Sequence, residues 1–214
     1  MLKRDQTSGL PETKRKLVEA GVLLMRAKGF HATSLDEICS NAGVTKGGFF
    51  HYFKSKDELA AAALVRFQDA RAKAYADAPF RKLGDPLERL LGRLDYVEES
   101  AGGTHGMTKG CLIGVLAQEL SFTNANLRNA CQELFLRIAE DVERDLAEAK
   151  AIHAPGANFN PKKLALFYVS LVQGSYLMAK SAENNSILVD NIEQFRTYLK
   201  SLFGLSAHCE RDRL

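Results

Sequence analysis

Residues 33–59 read TSLDEICSNAGVTKGGFFHYFKSKDEL, and this stretch decides the fold. Ser34 followed by Glu37 is a capping box: the serine oxygen accepts a backbone N–H, and the carboxylate reaches back to the helix start. The helix so opened carries Leu35, Ile38 and Cys39 on one face, at helical spacing. Gly43 ends it, because glycine enters the left-handed backbone that a helix exit needs. Val44 then returns to the core, and Thr45 caps a second short helix through Lys46, Gly47, Gly48, Phe49 and Phe50. Ser55 with Glu58 forms another capping box, opening a long helix at Lys56. Helix, tight turn and exposed second helix is the helix-turn-helix pattern, whose second helix enters the major groove of DNA.

The rest of the chain agrees with a DNA-facing segment. Residues 1–56 carry a net charge of +5 and the remainder −2, so the basic charge sits where the motif sits. No apolar run approaches the ~20 residues of a membrane span, and residues 1–13 are polar without a signal-peptide core; a cytoplasmic protein is expected. The four cysteines, Cys39, Cys111, Cys131 and Cys209, show no C-x-x-C spacing and no histidines in ligand register, so neither a metal site nor a structural disulfide is expected. Phosphate loops, G-x-S-x-G and H-E-x-x-H are all missing from the sequence, which argues against an enzyme and against a cofactor.

Chemistry assigns roles within the second helix. Thr45 offers a hydroxyl and nearby N–H groups to a phosphate. Lys46 has the reach and charge for guanine O6 and N7. Gly47 and Gly48 permit close backbone approach. His51 and Tyr52 can donate to phosphates, Lys56 can clamp the backbone, and Ser34 joins the DNA-facing set at the first helix. Phe49 and Phe53 read as core; Phe50 is left open between core and interface.

The run GFHATSLDEICSNAGVTKGGFFHYFKSKDEL resembles the DNA-binding domain of TetR-type transcriptional regulators, over about residues 13–64. The resemblance rests on Gly29-Phe30, Ala42-Gly43-Val44, Lys46-Gly47 and the aromatic cluster Phe50, His51, Tyr52, Phe53. It implies an all-α chain of two domains: an N-terminal helix-turn-helix domain and a larger helical domain for ligand binding and dimerisation. Two departures stand out. Phe50 replaces a frequent Tyr and Gly48 a frequent hydroxyl residue, leaving more of the base reading to Lys46.

The expected division is an arm and DNA-binding domain at 1–56, a regulatory and dimerisation domain at 57–205, and a disordered tail at 206–214. Helix 1 is expected at about 12–28, with Leu17, Ala20, Gly21, Leu24 and Met25 as its apolar stripe; Lys3 and Arg4 precede it in the arm. Helix 4 should run over 56–76. Asp85 and Pro86 start the next helix, with Leu87, Leu90, Leu91, Leu94 and Val97 on one face, and residues 100–106 read as a loop. Cys111 falls at a helix N-terminus beside Lys109, which favours the thiolate. It is either a sensor for electrophiles or oxidants, with Cys131 as a resolving partner, or a small packing residue. The surroundings of Cys111 also resemble a TetR subgroup with Gly-Cys here, some of whose members respond to electrophiles.

A long helix over 124–151 is expected to show Phe135, Ile138, Val142 and Leu146 inward, and Glu133, Glu140, Asp141, Glu143 and Asp145 on a solvated acidic face. Asn160 caps a helix over 162–183 that is apolar nearly all round. Its small residues Ser170, Gly174, Ser175 and Ala179 allow a second helix close, so a second copy is expected there, through Phe167, Ser170, Leu171, Gly174 and Met178. A last helix spans 188–203. Phe67, Tyr96, Cys111, Leu116, Phe135 and Gln173 are the expected pocket lining, for an apolar, aromatic or thiol-reactive effector. The resulting expectation is a homodimeric repressor released from a near-palindromic DNA operator by a small molecule. A helical protein-binding adaptor, or an activator with the same DNA-binding domain, is the alternative.

Overall fold

The computed structural model describes residues 11–102 and 110–205. The arm with Lys3 and Arg4, Lys109, and the tail with Cys209 lie outside the described residues. Within them the chain is all-α, as expected, and no strand occurs. The helices are α1 (Glu12–Lys28), α2 (Leu35–Ala42), α3 (Lys46–Tyr52), α4 (Lys56–Ala76), α5 (Pro86–Gly102), α6 (Leu112–Leu120), α7 (Ala125–His153), α8 (Pro161–Ala182) and α9 (Ser186–Leu202), with a short 3-10 turn at Pro79–Lys82. Among the described residues no helix is long and apolar enough to cross a membrane.

Helices α1–α4, α6 and the first part of α7 form one compact unit. Of the stripe read from the sequence, Leu17, Ala20, Gly21 and Met25 of α1 are buried and Leu24 is only half-buried, while Val18 is buried as well; Ile38, Phe49, Leu59 and Leu64 from the neighbouring helices complete the core. Gly21 lets α1 lie close on α4, since a Cβ there would sit 3.3 Å from the Leu59 side chain. Helix α6 is tied to α1 by polar contacts near both of its ends. Arg26 Nε donates to the Gly110 carbonyl (3.0 Å), and the His31 N–H donates to the Glu119 carboxylate (2.8 Å). Beyond α6, Asn124 Nδ2 donates to Asp57 at the head of α4 (2.9 Å).

Helices α5, α8 and α9 and the rest of α7 form the second unit. Asp85 caps α5 as expected, accepting from the Leu87 and Glu88 N–H groups. The helix then continues through Gly102 instead of ending at 99, and the Ser100 hydroxyl bonds back to the Tyr96 carbonyl in its last turns. The acidic face proposed for α7 needs a larger correction. Asp145 is buried and Asp141 half-buried, because Arg93 of α5, only 2% exposed, inserts between them. Its guanidinium donates to Asp141 (2.7 Å) and Asp145 (3.3 Å) and lies over the Phe80 ring. Arg81 also pairs with Asp141, and Arg89 with Asp145. A charge this deeply buried persists only when it is paired, and α7 supplies the partners.

Helix α8 is apolar on two faces with different neighbours. Leu164, Ala165, Tyr168 and Val169 are buried within the unit, where α9 contributes Leu188, Ile192, Phe195 and Leu199. Ser175 and Ala179 were expected to make room for a second copy. They face inward instead, and Asn191 of α9 donates to the Ser175 hydroxyl (3.0 Å). The opposite face, with Phe167 (49% exposed), Ser170, Gly174, Leu177 and Met178 (56% exposed), is left largely uncovered by the described residues.

Candidate nucleic-acid interface

Local hydrogen bonding fixes the α2–α3 corner. The Ser34 hydroxyl accepts the Glu37 N–H (3.2 Å), and the Glu37 carboxylate accepts the Ser34 N–H (2.9 Å), completing the capping box. Lys28 pairs with the same carboxylate, and this bond, followed by those from Ser34, holds Glu37 down at about 2 against an ordinary 4.5. Gly43 exits α2 in the left-handed region, φ 65°, with its N–H on α2 carbonyls. Thr45 then caps α3, its hydroxyl accepting the Gly48 N–H (3.1 Å).

Helix α3 presents a mixed face. Phe49 is fully buried and Phe53, just beyond the helix, is buried too, as the sequence suggested. Phe50, left open before, is 54% exposed, with its ring edge on Phe49. Thr45, Lys46, Gly47 and His51 are exposed and Tyr52 is half-buried, its ring against His51. This edge carries the hydroxyl, ammonium, imidazole and phenol groups that a phosphate and base-edge reader needs.

Four residues of the expected set stand differently from their sequence reading. The Ser34 hydroxyl also donates to Glu37 (2.8 Å), so both its donor and its acceptor are engaged within the cap. Gly48 is half-buried, and a Cβ there would come 2.7 Å from the Val44 side chain; its missing side chain serves the corner's own packing. Gly47, by contrast, is open, with only the Thr45 hydroxyl nearby. Lys56 is not a free phosphate clamp: its ammonium donates to the Phe30 and Thr33 carbonyls (both 2.9 Å) and covers the Phe30 ring. Lys46 is exposed but not solitary, since Asp36 of α2 holds its ammonium at 2.7 Å. That hydrogen bond, and then the charge behind it, raises the Lys46 pKa. The sequence reading missed Asp36 because ten residues separate the partners and no helical period links them.

The second capping box also closes differently. The Ser55 hydroxyl accepts the Glu58 N–H (3.2 Å), but the Glu58 carboxylate takes the N–H of Lys54, one residue earlier than expected (2.7 Å).

Residues 17–63 match the model of the bacterial regulatory proteins of the tetR family, and residues 86–194 match the C-terminal domain of LmrA/YxaF-like transcriptional regulators. The chain belongs to the TetR family of transcriptional regulators. Members of this family bind DNA operators, usually as dimers with small-molecule effectors, and are not enzymes. The transcriptional regulator AcuR of Cereibacter sphaeroides is 29% identical over 83% of this chain and 82% of its own length. The repressor NemR of Escherichia coli is 26% identical over 92% and 96%. A crystal structure of a regulatory protein TetR from Rhodobacter sphaeroides superposes with a TM-score of 0.77 at 26% identity, covering 90% of this chain and all of that one.

The effector residues expected from the sequence divide between the units. Phe67, Cys111 and Leu116 belong to the first unit, and Tyr96, Phe135 and Gln173 to the second. Leu116 is fully buried core, Phe67 is half-buried beneath the Arg26 guanidinium (5.2 Å), and Tyr96 packs against Phe80 (5.8 Å). Cys111 is the N-cap residue of α6 and half-buried, and its side chain makes no capping bond. Cys131 is buried, and burial, with a smaller effect from Cys111, pushes its thiol up to about 12. A thiol held that far above neutrality is a poor attacking group, which weighs against Cys131 as the resolving partner of Cys111.

Proposed function

We propose that this chain is a cytoplasmic, homodimeric repressor whose α3 reads a near-palindromic operator and whose regulatory helices, from residue 57 onward, respond to a small apolar or thiol-reactive effector. One observation carries the DNA reading: the exposed edge Thr45, Lys46, Gly47 and His51 is set on a rigid, capped corner above a closed aromatic core. Tyr52 and Phe50 flank that edge, with Ser34, Gly48 and Lys56 supporting the corner from behind. The uncovered face of α8 supports the dimer. Phe167, Leu177 and Met178 are large, apolar and about half exposed, with Ser170 and Gly174 between them and Leu171 at the margin. A face of this kind marks an association surface. Its place on a small-residue stripe suits a two-fold packing of like helices. Such a dimer would set its two reading helices about 34 Å apart, one turn of DNA.

An effector releases the operator only if it binds the non-binding arrangement more tightly. A role for Cys111 in that response is supported by its neighbour Gly110, whose carbonyl accepts from Arg26 of α1. Relatives named as repressors, among them NemR and, at 24% identity over 86% of this chain, DhaR of a Mycobacterium species, favour repression over activation. Gel-shift and light-scattering measurements on wild type, Lys46→Ala, Phe167→Asp and Cys111→Ser test the reading. Lys46→Ala should stay dimeric and lose sequence-selective binding, and Phe167→Asp should become monomeric and lose both. An electrophile that releases wild type but not Cys111→Ser assigns the switch to that thiol; equal release of both assigns it to a non-covalent pocket. A monomeric wild type, or full selectivity in Lys46→Ala, overturns the proposal.

A further inference from the structure

We infer that Asp36 is a specificity-determining residue, which holds the Lys46 ammonium away from the DNA backbone until matching base edges replace it. The inference rests on the DNA reading proposed above. The pair joins the first turns of α2 and α3, the two helices of the corner, at 2.7 Å, with Lys46 61% and Asp36 71% exposed. An exposed pair of this kind contributes little to folding, so stability does not account for it. Its placement is also unfavourable for simple affinity. A carboxylate on the DNA-facing corner repels phosphates and cancels the charge of Lys46, a cost to binding that its favourable place in the first turn of α2 does not offset.

The arrangement makes sense as discrimination. Non-specific binding is almost wholly charge neutralisation, each lysine–phosphate contact releasing about one counterion. A lysine already neutralised by Asp36 adds no net charge to that term. On a matching site, the ammonium instead finds guanine O6 or N7 at fixed positions, and these acceptors compensate for the lost carboxylate. Asp36 therefore removes Lys46 from indiscriminate binding while leaving it available for base reading. The gain comes from penalising the wrong partner rather than improving the right one.

The test uses the full chain and two probes: a duplex selected from a random-sequence pool by the wild type, and a scrambled duplex of equal length. Affinities are measured against salt for wild type, Asp36→Asn, Lys46→Gln and the double variant, each first checked for an unchanged thermal transition. Asp36→Asn should steepen the salt slope on scrambled DNA by about 0.9 per chain, about 1.8 for the dimer, and raise affinity there roughly tenfold or more at 0.1 M salt. The preference for the selected duplex should fall correspondingly. In the Lys46→Gln background the same change should give a clearly smaller gain and leave the salt slope nearly unchanged, because only the carboxylate's repulsion is relieved and the ammonium it would free is gone. An equal gain on both probes, or an undiminished gain without Lys46, would mean simple loss of a negative charge and overturns the inference. Should the wild type enrich no sequence from the pool, the DNA reading fails and this inference with it.

Discussion

Replacing Arg93 by methionine keeps most of the side-chain volume but removes the charge between Asp141 and Asp145. Asp141 would retain Arg81 and Arg144, and Asp145 would retain Arg89, so neither carboxylate is abandoned. Breaking a buried pair at one partner costs roughly 3–5 kcal/mol; with these remaining partners a loss near the lower end, about 3 kcal/mol, is expected. The acid limb of stability should also move. Burial raises the Asp141 pKa, but Arg93 first and Arg81 with it outweigh burial and bring it down from 3.8 to about 2. A depressed carboxylate stabilises the fold above its unfolded pKa, so this contribution, about 2 kcal/mol, is present above pH 3.8 and lost as pH falls through about 2. In Arg93→Met the Asp141 pKa rises, and part of that loss occurs at higher pH. Urea unfolding at pH 7 and a pH titration of the folded state measure both effects. A loss below about 0.5 kcal/mol with an unchanged acid limb would show that the buried arginine contributes nothing net, as some buried pairs do.

Five further substitutions probe the first unit. Ser34→Ala should cost about 1 kcal/mol in thermal unfolding by leaving the α2 terminus uncapped. The matching acid effect of Glu37, present above pH 4.5 and lost as pH falls through about 2, should be absent in Glu37→Gln, read from parallel acid titrations. Gly48→Ser should destabilise by roughly 1–3 kcal/mol through overlap with Val44, whereas Gly47→Ser should fold normally and lose DNA affinity; thermal melts and duplex titrations separate the two. Gly29→Ala combines a left-handed φ of 97° with a Cβ that would overlap the Glu119 carboxylate, so a cost of roughly 1–3 kcal/mol or more in urea is expected.

The sequence was informative where structure is made by neighbours along the chain. The Ser34–Glu37 box, the left-handed Gly43, the Thr45 cap and the α1 stripe all depend on residues within four positions, and each is found as read except that Leu24 of the stripe is only half-buried. Contacts between distant segments left no such trace. Asp141 and Asp145 follow a helical period that reads as a solvated face, and Arg81, Arg89 and Arg93, some fifty to sixty residues earlier, reverse that reading. Lys56 and Lys46 look alike as exposed basic residues, yet one braces the Phe30–Thr33 turn and the other is held by Asp36. Helix α8 showed apolarity on every side without showing which side its own chain covers. Tyr198 of α9 is also exposed and packs against Phe167, extending that face beyond the residues singled out in α8.

The most direct test of the account is the ratio of affinities for a selected duplex and a scrambled one, measured by fluorescence anisotropy at a fixed salt near 0.15 M on the intact protein. A helix-turn-helix dimer reading bases through α3 predicts a ratio of about 1,000 or more, with two chains per selected duplex and loss of the preference in Lys46→Ala. Equal affinity for both duplexes would contradict it, leaving the basic corner with no more than charge attraction to nucleic acid.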